Sequence, residues 1–149
     1  MIAARITFYG ACRDAVDFYS RVFHAAVEDE SLFEDHQNQF PMGLSVGAGK
    51  LIFYVRLRIP DEEGDACIIM GDSPILALPG NMERSGCKDN IIFDMKLHSA
   101  TETERIYNAF MEDGAKCNIP LCSREEYSKY GSFIDRFGIC WNLYCMREE

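Results

Sequence analysis

The 149-residue sequence lacks any apolar run near the roughly 18–20 residues that a membrane-spanning helix needs. It is also short of cations, with 15 Lys and Arg against 24 Asp and Glu and a formal net charge of −9. Such a deficit repels nucleic-acid phosphates and anionic headgroups, so neither nucleic acid nor membrane is an expected partner. The opening stretch, MIAARITFYGACRD, lacks the basic-then-apolar layout of a secretory leader, and a cytoplasmic location is expected. Seven cysteines, at positions 12, 67, 87, 117, 122, 140 and 145, include no Cys-x-x-Cys pair and are odd in number. Zinc knuckles and disulfide frameworks both need tighter patterns, so reduced and mostly buried thiols are expected. Cys140 and Cys145, on one strand, face opposite sides and do not readily bridge. Histidine is scarce as well: His24 closes a helix, His36 lies in an acidic loop and His98 precedes a helix, each read as an ordinary surface or capping residue.

What is present describes one globular domain over residues 1–149, with 48% apolar and 26% charged residues. RITFYG (5–10) reads as a strand. Ala15, Phe18, Tyr19, Val22 and Phe23 then recur at helical spacing and form one apolar stripe. Residues 28–49, acidic and then loop-like, have no clear place. GKLIFYVRLRIP (49–60) alternates as a strand, and ACIIM and PILAL flank Gly71-Asp72-Ser73, whose turn chemistry predicts a hairpin. PGNMERSGCKDN reads as a linker.

Beyond the linker the pattern recurs. NIIFDMKLHS predicts a strand and TETERIYNAFMEDGAK a helix. Thr101 and Glu104 suit a capping box, Ile106, Tyr107, Phe110 and Met111 form the stripe, and Gly114 supplies the stop. SREEYSK (123–129) predicts a short helix or turn with Ser123 and Glu126 as a second box. GSFIDRFGICWNLYC (131–145) closes the chain as two strands hinged on Arg136-Phe137-Gly138. Superposing Ala25-Ala26 on Gly114-Ala115 gives an offset of 89 that pairs Phe18 with Tyr107 and Val22 with Met111. An internal duplication follows: module one over about 1–79, a linker over about 80–90 and module two over about 91–149.

Some residues carry chemistry. Arg56 and Arg58 share a strand face with Tyr54, either to clamp a carboxylate or phosphate or as snorkelling surface side chains. Cys140 and Asn142 share a face of the last strand, where an exposed thiol and an amide would line a cavity. No base stands near Cys140 in sequence to activate it. Trp141, Tyr144 and Phe133 wall a pocket or fill a core, and Asp135-Arg136 is an ion pair or a turn element.

ITFYGACRDAVDFYSRVFHAA, ACIIMGDSPILAL and the closing YGSFIDRFGICWNLYC, with its Gly-x-x-x-Asp-x-Phe-Gly-x-x-Trp run, resemble the vicinal oxygen chelate superfamily. The likeness is to its PhnB-like, glyoxalase/bleomycin-resistance branch. It implies an α+β fold of two βαβββ modules whose mixed sheets curl around one cleft, usually in a homodimer. It also implies a divalent metal held by His, Gln or Glu side chains. Carried onto this sequence, those positions fall on Ala4, Phe93, Ile75–Leu78 and Asn142, and only Asp94, one residue away, is a ligand type. No metal and no other cofactor are therefore expected. PhnB-like sequences often bear a demethylubiquinone methyltransferase label; nothing here resembles a methyl donor's Gly-rich loop after a strand, and that activity is not expected. The leading expectation is a metal-independent protein that binds an unidentified small molecule, with Tyr54, Arg56, Arg58, Phe93, Cys140 and Asn142 as cleft candidates. The alternatives are a metal-dependent enzyme (lyase, isomerase, dioxygenase or antibiotic-resistance transferase) and a purely structural or interaction dimer.

Overall fold

The computed structural model describes residues 4–77 and 91–147. The predicted linker and Cys87 lie outside the described residues. The chain divides into two units, one ending at Arg84 and the other starting at Ser85.

In the first unit, β1 (Arg5–Phe8) leads into α1 (Cys12–Val22), and β2 (Ala26–Leu32), β3 (Ile52–Ile59) and β4 (Ala66–Asp72) follow. The sheet order is β1-β4-β3-β2, with β1 parallel to β4 and the other neighbours antiparallel. The second unit repeats this with β5 (Ile92–Leu97), α2 (Ala100–Glu112), β6 (Lys116–Cys122), β7 (Tyr127–Ile134) and β8 (Cys140–Met146), in the order β5-β8-β7-β6. Each unit is thus a βαβββ module with one strand order, as the 89-residue offset requires.

Each helix forms because its apolar residues fall on one stripe, and it stays because that stripe is buried on the sheet. Ala15, Phe18, Tyr19 and Val22 of α1 are all buried, and Tyr19 lies 6.5 Å from the ring of Phe8 on β1. In α2, Phe110 meets Phe133 at 4.6 Å and Trp141 at 5.8 Å, and Tyr107 meets Phe133 edge-on at 5.7 Å. Burying each such ring contributes about 1.5–3 kcal/mol. Residues 28–49, unplaced by sequence, continue β2 to Leu32 and then enter 3-10 turns (Phe33–Gln39 and Ala48–Lys50). With the turn Pro74–Ala77 they build a small satellite core of Phe33, Phe40, Ala48 and Ala77.

Two local expectations are corrected, and one pair of alternatives is resolved in favour of the turn. Gly71-Asp72-Ser73 is not a hairpin: β4 runs through Asp72, whose buried carboxylate accepts from Gly10 N (2.9 Å), Cys12 N (3.1 Å) and Ile52 N (3.0 Å). Gly71 is required by closeness rather than by turning, since a Cβ there would sit 2.6 Å from the Phe53 carbonyl oxygen. The cap of α2 is Ser99, whose Oγ accepts from Glu102 N at 3.1 Å, so the cap lies two residues before Thr101 and the helix begins at Ala100. Residues 123–126 form no helix; the Ser123 hydroxyl donates to the Ser128 carbonyl (2.9 Å) and ties the turn into β7.

Candidate functional site

Strand alternation gives each sheet one face under its helix and one face away from it. The second faces hold most of the candidate residues.

In the second unit, Phe93 lies on the helix side, 5.3 Å from the ring of Trp141. It therefore sits apart from Cys140 and Asn142, which alternate to the other face. Phe133 and Trp141 belong to the core. Tyr144 faces away from the helix, edge-on to Tyr127 at 5.4 Å, with Tyr130 5.5 Å from Tyr127 and the Arg124 guanidinium 4.6 Å over Tyr130. Across three strands, Asp94, Asn142 and Ser132 fall in one register row. The Asn142 Nδ2 donates to Asp94 Oδ1 at 2.8 Å. Asp94 is exposed, Asn142 half-buried and Ser132 buried, so the row runs from rim to interior. Cys140 is buried beside it.

In the first unit, Tyr54, Arg56 and Arg58 do share the face away from α1, but carboxylates already engage both guanidiniums. Arg56 pairs with Glu28 (3.1 Å) and Asp29 (2.8 Å), and Arg58 with Glu28 (2.9 Å) and Asp65 (2.8 Å). Glu28 first, then Asp65, raises the Arg58 guanidinium further, and Arg58 in turn holds the Asp65 carboxyl below its ordinary value. An incoming anion would have to compete with these carboxylates. Among the described residues, Arg56 Nε is the one buried side-chain polar atom with no hydrogen-bond partner. Arg5, absent from the sequence candidates, lies across Ile69 from Arg56 in the register and stacks 5.7 Å over Phe53 while donating to the Phe53 carbonyl. His36 also stacks on Phe53, 4.0 Å away, with Nε2 3.0 Å from Ser31 Oγ. Ring contacts of this kind leave no trace in a linear sequence, because their partners are 17 to 48 positions apart.

The Gly-x-x-x-Asp-x-Phe-Gly-x-x-Trp run is a folding device. Asp135 is buried; its Oδ1 accepts from Phe137 N and Ile139 N, both at 2.9 Å, and its Oδ2 from Trp141 Nε1 at 2.9 Å. Gly138 closes the turn at φ +85°. Arg136 pairs instead with Asp113 of the α2 exit at 3.0 Å.

The residues do not fit the divalent metal that the fold implies. Among the described residues, no three His, Cys, Asp or Glu side chains converge. At the closing-strand position stands a neutral amide that gives its N–H to Asp94, so Asp94 is left as a lone carboxylate among the implied ligand positions.

A family model described as 3-demethylubiquinone-9 3-methyltransferase matches residues 61–144, more than half of the chain. The chain belongs to this PhnB-like family. Among solved structures, a protein of Pseudomonas aeruginosa aligns at 22% identity and TM-score 0.70, covering 99% of this chain and 98% of its own. The PhnB protein of Bacillus cereus aligns at 16% identity and TM-score 0.66, covering 97% and 98%. A glyoxylase/bleomycin resistance protein/dioxygenase domain of Frankia aligns at 13% and 0.57, covering 99% and 97%. These likenesses give the PhnB-like chain the glyoxalase/bleomycin-resistance fold. No curated protein matches it.

Proposed function

We propose that this PhnB-like protein binds a small organic molecule on the sheet faces turned away from its helices, without a divalent metal. The observation that carries this reading is the Asp94–Asn142 pair at 2.8 Å, which fills the implied metal-ligand position with an internally bonded polar group. Half-buried tyrosines beside it offer apolar contact of the kind that ligand sites use. On the face of the first unit, Tyr54, Arg56 and Arg58 offer a second polar patch, already charge-compensated. The family description names methyl transfer, but Asp72 occupies the Gly10 and Cys12 N–H groups after β1, which supports binding over that chemistry. The six described cysteines are all free, in keeping with a reducing, cytoplasmic setting, and we read the working form as a homodimer.

Native mass spectrometry and thermal-shift screening of the purified chain test this reading. A co-purified or stabilising organic molecule, with dimer mass, is the expected result. Failure of every metal-free compound to stabilise the chain, together with stabilisation by a divalent cation, would contradict it.

A further inference from the structure

We infer that the row Asp94–Asn142–Ser132 reads a planar ligand through the ligand's own N–H donors, at the position where the fold would otherwise present metal ligands. This rests on the binding reading above and names the ligand class for one of its two faces.

The argument is one of hydrogen-bond polarity. The Asn142 amide turns its NH₂ towards Asp94 Oδ1, which accepts at 2.8 Å. That orientation commits the carbonyl oxygen of Asn142 to the outer side of the bond. The second Asp94 oxygen, the Asn142 carbonyl and the Ser132 hydroxyl engage no other side chain among the described residues. Together they offer acceptors across three neighbouring strands, a span of about 10 Å at ordinary strand spacing. Tyr144 and Tyr130 form the next row on one side, and Cys140 and Ile134 the row on the other. A hydrogen-bonding line between an aromatic and an aliphatic row suits the edge of a flat ring bearing amino or amidine groups. A carboxylate or phosphate would meet the Asp94 carboxylate and the Asn142 carbonyl acceptor against acceptor, leaving the Ser132 hydroxyl and the second Asn142 N–H as donors to it. Lys96 shares the face but lies in the tyrosine row, paired with Tyr144 in the register, so it does not change the polarity of the Asp94 row.

Benzamidine and benzoate test this directly, because they share one shape and have opposite hydrogen-bond polarity. In a ¹⁵N–¹H titration of the full chain, benzamidine is expected to move the backbone signals of Asp94, Ser132 and Asn142, and benzoate to leave them in place. Asp94→Asn, at an exposed site that keeps the fold, is expected to weaken benzamidine by about tenfold, and Ser132→Ala by a smaller factor. Equal response to benzoate, or benzamidine binding unchanged in both variants, would overturn the assignment. Benzamidine shifts confined to Glu28, Asp29 and Asp65 would overturn it too, while leaving the wider binding reading intact.

Discussion

Asp135 and Asp72 show how single buried carboxylates hold these modules. Each is almost fully buried; Asp135 accepts from two backbone N–H groups and the Trp141 indole, and Asp72 from three backbone N–H groups. Removing Asp135 leaves the buried Trp141 indole and the part-buried Phe137 and Ile139 N–H groups without this acceptor, at about 1–3 kcal/mol for a fully buried donor and less for the others. Asp135→Ala is therefore expected to lower unfolding stability by about 3 kcal/mol or more in urea titrations; a loss within error of zero would show that the turn stands without it. Cys12 makes a second residue-scale prediction. Burial, and then the neighbouring Asp72 charge, push its thiol up to about 12 from 9.0. The folded chain thus holds that proton where the unfolded chain has lost it. The stabilisation is whole below pH 9 and disappears as the pH climbs towards 12. Tyr107, also raised to about 12 by burial and by its bond to Cys117, adds slope in the same range. Cys12→Ala should flatten, without abolishing, the fall in stability between those values. In the native protein at pH 8, iodoacetamide should label the exposed Cys67 and Cys117 and spare Cys12. Rapid labelling of Cys12 would contradict its burial.

At the scale of elements, periodicity was a sound guide and punctuation was not. The stripes of α1 and α2 were legible because burial on a sheet enforces helical spacing, and the final strand pair because its apolar runs flank a Gly-containing turn. The helix start was misread by two residues: Thr101 and Glu104 have the right types and spacing, but Ser99 has the extended backbone (φ −137°, ψ 147°) that a cap needs. Ser99→Ala is expected to cost about 1 kcal/mol and Thr101→Ala close to nothing, read by chemical denaturation; the reverse ranking would restore the sequence reading. Gly71-Asp72-Ser73 misled for a related reason. Turn-type residues were present, yet Asp72 serves as a cross-link from β4 to the α1 entrance and to β3, and Gly71 makes room for the Phe53 carbonyl. Pro120 is tolerated in β6 because that strand lies at a sheet edge with irregular register, where a missing N–H goes unmissed.

At the scale of the whole molecule, the offset of 89 foretold two modules of one topology, and the repeated strand order bears that out. The candidate site was legible in part. Alternation correctly put Tyr54, Arg56 and Arg58 on one face and Cys140 with Asn142 on another. It also places Phe93 on the helix side, a parity visible in NIIFDMKL once the core partner Trp141 is known. Long-range pairs were out of reach: nothing local in the sequence joins Asp94 to Asn142, 48 positions on, or assigns Glu28 to both arginines. The account as a whole depends on those polar pairs replacing a metal centre. Calorimetric titration of the purified chain with Ni²⁺, Mn²⁺, Fe²⁺ and Zn²⁺, alongside elemental analysis, is the most direct test. Binding well below one ion per chain, unchanged in Asp94→Ala, is the predicted result. One ion per chain, lost in Asp94→Ala, would contradict it.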